Sequence, residues 1–488
     1  MDINRLADEL ERFQIELANS LYESHMRTKK ASDIKEIYSS FRNILDEKNI
    51  INLISNKEIL ETDEKKLFLK AIVKEYLLLF AQFYKSKAAI YRSNETIQFY
   101  EEKLSLKEAQ AMVLIEKNRD KRKLLYKNIE KANDKVISPI FVQMYENLNE
   151  IANRLGYESY LNLSLSLNSL DADKSIEELE DFLNTTKDKY TQKFEEIYQH
   201  QLININHNER HDAFHLWNLI KFPNGISFDN LKLLLKDLME DLGLEEAYNK
   251  IKITIQNVGF QRSFTLPINI PTDIALIINL RNKFDDYKTL FHEVGHSLHL
   301  VSTSKQLPSF YRCWGDTGIN EAYAFLFENL LVNPKFLERY IDGSKNLNNF
   351  LNIANFNRFF LIRLYAARAL WELKYSDNDN FTIEQKKEFW GEMFYGATGF
   401  KYEGASAYIE REFFLDTFNY LKGWVLELQL KEYLENKYGE YWFRNKDSGR
   451  FLQSLWSTGK FRTGEDLSSV LGSSTFNFSI LKKYVDFF

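Results

Sequence analysis

Apolar side chains recur every three or four positions along most of the first 245 residues, the spacing that gathers them on one face of a helix. The pattern predicts helices near 2–28, 32–48, 57–89, 93–101, 106–133, 136–155, 174–203, 209–219 and 228–245. Pro139 is expected in the first turn of a helix, where its missing N–H has no helical partner, and Gly156 just past the last turn of the same helix. Near residue 250 the period changes. Ile251 to Gln256 alternates apolar with polar, and 264–271 and 275–280 also read as strands. Pro267 and Pro271 demote 264–271 to an edge or irregular strand. Helical spacing returns near 335–342, 344–375, 383–396, 408–438 and 447–458. The change of period suggests a helical N-terminal lobe, 1–250, and a second lobe, 251–488, that form one cooperative unit.

Composition narrows this picture without redirecting it. Six prolines and 18 glycines in 488 residues leave room for long uninterrupted helices and supply no linker between domains. A content of 44% hydrophobic and 27% charged residues is that of a folded chain with ample core. With 64 basic against 70 acidic residues, the net charge of −6 gives no field suited to nucleic acid. No apolar run reaches the length of a membrane span, and the N-terminus carries acidic residues where a signal peptide needs a basic start. Cys313, the single cysteine, excludes an internal disulfide and a cysteine-based metal cage. A cytoplasmic location is the expectation.

Candidate chemistry concentrates in His292-Glu293-Val294-Gly295-His296. On a helix, positions i and i+4 share a face, so two imidazoles can turn towards one point with Glu293 beside it. Two neutral imidazoles suit zinc, and a neighbouring carboxylate can take a proton from water at the open coordination position. A third protein ligand is then required, and residues 315–328 offer Glu321. Asp316 or Thr317 can cap a new helix that returns antiparallel to the first, and Gly295 would let the two backbones approach closely. Glu328, two turns after Glu321, falls on the same face and could fix the tautomer of a ligating imidazole. The chemistry that results is metal-assisted hydrolysis with one zinc per chain.

The stretch Tyr287-Lys288-Thr289-Leu290-Phe291-His292-Glu293-Val294-Gly295-His296-Ser297-Leu298-His299 resembles the signature of the thimet oligopeptidase and oligoendopeptidase F family of zinc peptidases. Glu321 follows His292 by 29 residues, a spacing that also resembles the family's. The resemblance covers about residues 284–330 and implies His292, His296 and Glu321 as zinc ligands, Glu293 as general base and oligopeptides as substrates. Peptidases of the angiotensin-converting enzyme and thermostable-carboxypeptidase types share this layout. Amide hydrolysis also calls for a donor to the oxyanion. The run Thr417 to Leu430 is similar to the family's C-terminal helix, and the match puts that donor at Tyr420. Tyr408 falls where the family often has a second donor. The family typically supplies a histidine near that point, whereas all eight histidines here lie at or before His299.

The expected molecule is therefore all-α, mainly helical, with a small β-sheet beside the active site and two helical lobes flanking a deep substrate cleft. Strand 264–271 could bind an extended peptide along its free edge or merely brace the zinc helix. The leading function is hydrolysis of internal bonds in short peptides. A carboxypeptidase or dipeptidyl carboxypeptidase would need a cation for the substrate's terminal carboxylate, for which Arg411, Lys401 and Arg363 are candidates. A non-catalytic peptide-binding or scaffold protein is the third reading, in which Glu293 has no task. His207, His211 and His215 are also spaced by four, and His211-Asp212-Ala213-Phe214-His215 imitates the zinc motif. Its aspartate is one methylene shorter and no comparable glutamate flanks it, so a solvated or partly buried helix face is expected there.

Overall fold

The computed structural model describes residues 3–26, 34–56, 62–201, 209–220, 228–256, 263–279, 284–341, 347–473 and 476–487. Among them the chain is mainly helical, with one two-stranded and one three-stranded sheet, as its apolar spacing predicts. It divides into two compact units. The first comprises Met1–Glu75, Phe222–Leu351 and Asn419–Asn477; the second comprises Tyr76–Lys221, Asn352–Phe418 and Phe478–Phe488. The boundary expected near residue 250 falls inside the middle segment of the first unit.

The first unit holds the three-stranded sheet: β1 (Lys252–Gln256), β2 (Phe264–Asn269) and β3 (Asp273–Asn279), in the order β1-β3-β2. The unbroken apolar run Ile274 to Ile278 suits β3 to the centre, where both faces are covered, and every residue from Ile274 to Asn279 is buried. Strand β1 pairs with it in parallel and β2 antiparallel, Phe264 opposite Ile277. The edge position expected for 264–271 is observed for β2: Pro267 sits within it, exposed, and the register shifts between Pro267 and Asn269. Helix α1 (Ile3–Met26) closes one face of the sheet, with Ala18 and Tyr22 packed among Phe264, Leu266, Ile268, Ala275 and Ile277.

Helix α2 (Phe284–Ser302) carries the paired histidines. Helix α3 (Thr317–Glu328) follows a short connection and begins where the sequence places its cap: the Asp316 carboxylate accepts from Gly318 N–H at 2.9 Å. The two helices run antiparallel, since His299 meets Asn320 while His292 meets Glu328. Their contact is backbone against backbone. A methyl group built on Gly295 would lie 2.7 Å from Ala324 Cα and 2.7 Å from Tyr323 O. On the other side of α3 lies α4 (Thr417–Tyr438), where a Cβ on Gly423 would come within 2.6 Å of Glu321 Cβ.

In the second unit several elements depart from the periodicity. Residues 93–101 do not form the separate helix expected. The helix Asp63–Asn94 ends, and Thr96–Phe99 pairs with Glu102–Ser105 as a hairpin turning at Tyr100, φ 51°. Thr96-Ile97-Gln98-Phe99 alternates polar with apolar, which suits a strand. The helix expected over 174–203 breaks at Thr186, whose hydroxyl turns back to Phe182 O at 2.7 Å and accepts from Arg363 at 2.6 Å. The stretch 408–438 is likewise interrupted before α4, because Phe414 and Leu415 adopt left-handed backbone with φ of 58° and 59°. Gly156 does end its helix, with φ 91°. Pro139 does stand in the first turn of its helix, Ser138–Arg154, which continues directly from a wide π turn, Asn133–Ile137, after Arg119–Ala132.

Gly295→Ala should be destabilised by about 1–3 kcal/mol, the usual cost of forcing extra volume into a packed contact. A lower denaturant midpoint with an unchanged m value would show it. Unaltered stability would mean that α2 and α3 part freely.

Candidate metal centre

His292 and His296 lie one turn apart on α2 with their rings edge to face, centroids 4.6 Å apart. From α3, Glu321 brings Oε2 to 3.4 Å from His292 Nε2 and Oε1 to 3.7 Å from His296 Nε2. One donor atom from each of the three residues lies within 4.8 Å of the others. Each side chain is mostly covered, yet Glu321 Oε2 and His296 Nδ1 are buried with no hydrogen-bond partner. Buried polar atoms without partners are costly. Two imidazoles that turn Nε2 towards Glu321, with its Oε2 unsatisfied, fit a divalent transition metal.

Glu328, two turns beyond Glu321, accepts from His292 Nδ1 at 2.9 Å, so the His292 ring is held between two carboxylates with Nε2 towards Glu321. Burial works against a charged imidazole here, but the carboxylates of Glu321 and Glu328 outweigh it and raise the His292 pKa to about 10. His296 moves the opposite way, because burial dominates and the charge of His292 adds to it. The carboxylates thus demand one positive charge at His292 and do not extend it to His296. Glu328 has a second partner that sequence reading missed: Lys288 Nζ, 3.1 Å from Oε1. Burial would raise the Glu328 pKa, yet the Lys288 charge and the His292 bond bring it down to about 2. Lys288 is one turn before His292 on α2, a spacing that could have flagged it.

Glu293, beside the paired histidines, is partly buried, and its Oε2 accepts from Thr265 N–H of strand β2 at 2.7 Å. Phe325 lies between Glu321 and Glu328 on α3, edge-on to His292 and stacked on Trp424 at 4.8 Å. The Tyr420 ring is 6.5 Å from that of Phe325, and Tyr420 stands one turn from Gly423, which abuts Glu321. His299, fully buried, bridges Asn320 at 2.8 Å and Gly459 O at 3.2 Å, steadying the residue next to Glu321. Burial drives its pKa down to about 4.

The remaining candidates belong to the second unit. Tyr408 is buried, its ring against Trp371 and Tyr145, and burial raises its pKa to about 12. Arg363 is buried and donates to Ala397 O, Leu183 O and Thr186 Oγ1. Arg411 pairs with Asp377 at 2.7 Å and lies over the rings of Tyr145 and Tyr160. Both guanidinium groups are thereby committed, whereas Lys401 is exposed. The second histidine series does not form a metal cluster among the described residues. His207 and the side chain of His215 lie outside them. His211 and Asp212 are fully buried, not solvated: Asp212 is bound by Arg119 at 3.0 Å and Arg122 at 3.4 Å, and His211 by Glu209 at 2.9 Å.

The model of a known family, Peptidase family M3, matches residues 257–387, which contain His292, Glu293, His296, Glu321 and Glu328. The family resemblance read from residues 287–299 is borne out by that match, which covers 131 of the 488 residues and supports a metallopeptidase. Such a likeness supports peptides as substrates and a metal as cofactor. Tyr408 and Tyr420 lie outside the matched residues. No curated protein matches the chain. No helix among the described residues is long and apolar enough to cross a membrane.

Glu328→Gln should weaken metal binding by ~10–100-fold, the range for lost partners of a ligating histidine. Lys288→Met should act in the same direction and more weakly. Competition with a chelator of known affinity measures both. A Glu328→Gln chain that binds metal as tightly as the unsubstituted one would remove Glu328 from the centre.

Proposed function

We propose that the chain is a zinc-dependent peptidase that hydrolyses internal bonds of short peptides, with one zinc held by His292, His296 and Glu321. The observation that carries this reading is the convergence of those three donors beside Glu293, within the segment matched by a peptidase family. Zinc bound there would polarise the scissile carbonyl and acidify the attacking water.

The protein's own groups divide the rest of the work. Glu293, next to His292 on α2, accepts the proton of the attacking water and delivers it to the leaving nitrogen. Its carboxylate suits this task because it is only partly buried and is held by an uncharged donor, the Thr265 N–H. Tyr420 donates its hydroxyl hydrogen to the oxyanion, a role that needs a neutral donor. Glu328 and Lys288 hold His292 in one orientation, with Nε2 directed to the cluster. Strand β2 receives an extended peptide along its edge, where main-chain bonds tolerate many side chains.

The carboxypeptidase alternative draws no support from Arg363 and Arg411, whose guanidinium groups are occupied by protein partners. A scaffold role leaves the convergence of ligands and Glu293 unexplained. The single Cys313 is compatible with a reducing, cytoplasmic setting.

Metal analysis of the purified chain should give one zinc, lost in the His292→Ala, His296→Ala double substitution. An internally quenched peptide blocked at both ends should be cleaved. Glu293→Gln should retain zinc and lose most of kcat, and Tyr420→Phe should lower kcat far more than it raises KM. If only peptides with a free C-terminal carboxylate are cleaved, the enzyme is a carboxypeptidase. If Glu293→Gln turns over normally, Glu293 is not the base.

A further inference from the structure

Glu293 is tied to a residue 28 positions earlier in the chain by more than one bond. The Thr265 N–H donates to Glu293 Oε2 at 2.7 Å, and the Thr265 hydroxyl donates to Glu293 O at 2.9 Å. Thr265 Oγ1 also lies 2.9 Å from Ser297 Oγ. A carbonyl only accepts, so the threonine proton is spent on Glu293 O and the Ser297 hydroxyl supplies the hydrogen for the third bond. Ser297 is fully buried and follows Glu293 by one turn of α2. One residue of the edge strand is thus fastened to one helical turn at three points, and that turn carries Glu293.

These bonds have different tasks. The two made by the hydroxyl join backbone and buried side chain, and set the distance between β2 and α2. The third, from the backbone N–H, can reach the carboxylate only while that distance holds. A glutamate has three side-chain torsions, and ordering such a chain costs up to about 2 kcal/mol of rotamer entropy. A short bond to an ionised carboxylate offsets that cost before any substrate arrives. We propose that Thr265 is a positioning residue for hydrolysis: its hydroxyl clamps β2 to α2 and so keeps the backbone N–H on Glu293, fixing the rotamer from which that carboxylate acts. The inference rests on Glu293 as the base.

Thr265→Val and Thr265→Ser separate this role from a merely structural one. Valine keeps the N–H, the β-branch and the strand preference and removes only the hydroxyl; serine keeps the hydroxyl. Thr265→Val should bind metal fully and leave KM unchanged, while kcat falls ~10-fold, the lower end of what losing a supporting bond costs. Thr265→Ser should restore most of kcat. In a Glu293→Gln background, Thr265→Val should lower the residual rate no further, because the residue it positions has already lost its function. Unchanged kcat in Thr265→Val overturns the proposal while leaving Glu293 as the base. An equal further fall in the Glu293→Gln background, or loss of metal from Thr265→Val, overturns it by showing a general structural role. Normal turnover by Glu293→Gln alone overturns the clamp and the base together.

Discussion

Where α2 and α3 cross, two helix backbones approach so closely that only hydrogen fits at position 295. The arrangement of donors depends on that contact. Glu321 is a short-armed ligand for a site built on another helix, and its oxygens come within 3.4 and 3.7 Å of the two imidazole nitrogens because the axes are pressed together one turn away. Gly423 applies the same constraint from behind, placing the α4 backbone against the Glu321 Cβ. The carboxylate is therefore held between two helices, neither of which has room to yield. Packed interiors pass small displacements along instead of absorbing them, so the centre inherits the rigidity of its surroundings.

Charge completes what packing begins. Glu321 and Glu328 bring two carboxylates into a buried place, where the Lys288 ammonium pairs with Glu328. The remaining deficit is why protonation is favoured at His292 and not at His296: a positive charge between two carboxylates is stabilised, and a second one beside it is not. The same electrostatic demand suits a cation shared among His292, His296 and Glu321. Lys288 limits the deficit on the outer side, so that Glu328 serves the imidazole and does not compete with it for the cation.

Much of this was legible in sequence because it is local. The separation of His292 and His296 by four fixes a shared helical face, the seven residues from Glu321 to Glu328 fix another, and Asp316 caps its helix as its chemistry suggests. Gly295 could be read as a close approach because it interrupts an otherwise bulky apolar face. Other features were out of reach for equally physical reasons. Thr265 acts through a backbone N–H, which every residue but proline has, across a separation that no periodicity encodes. The break at Thr186 depends on Arg363, far along the chain. Left-handed backbone at Phe414 and Leu415 contradicts their side-chain preferences, so the stretch read as continuous helix. His211 and Asp212 read as solvated or partly buried, and not as fully buried, because the two arginines that neutralise the aspartate lie about 90 residues away.

Strand β2 is the margin of its sheet, and an unprotected margin can recruit a second sheet edge and seed aggregation. Here Thr265 directs its N–H to Glu293, and the next residue on the same side of the strand is Pro267, which has none. The margin therefore offers acceptors at these two positions and no donors. Another sheet edge brings donors and acceptors in alternation, and at these positions half of them would find no counterpart. A single short peptide can shift or bend to suit such a one-sided margin, whereas a rigid edge from another copy cannot. The bond that holds Glu293 in place thus also lets the protein keep an open strand at its surface without making it a site of uncontrolled association.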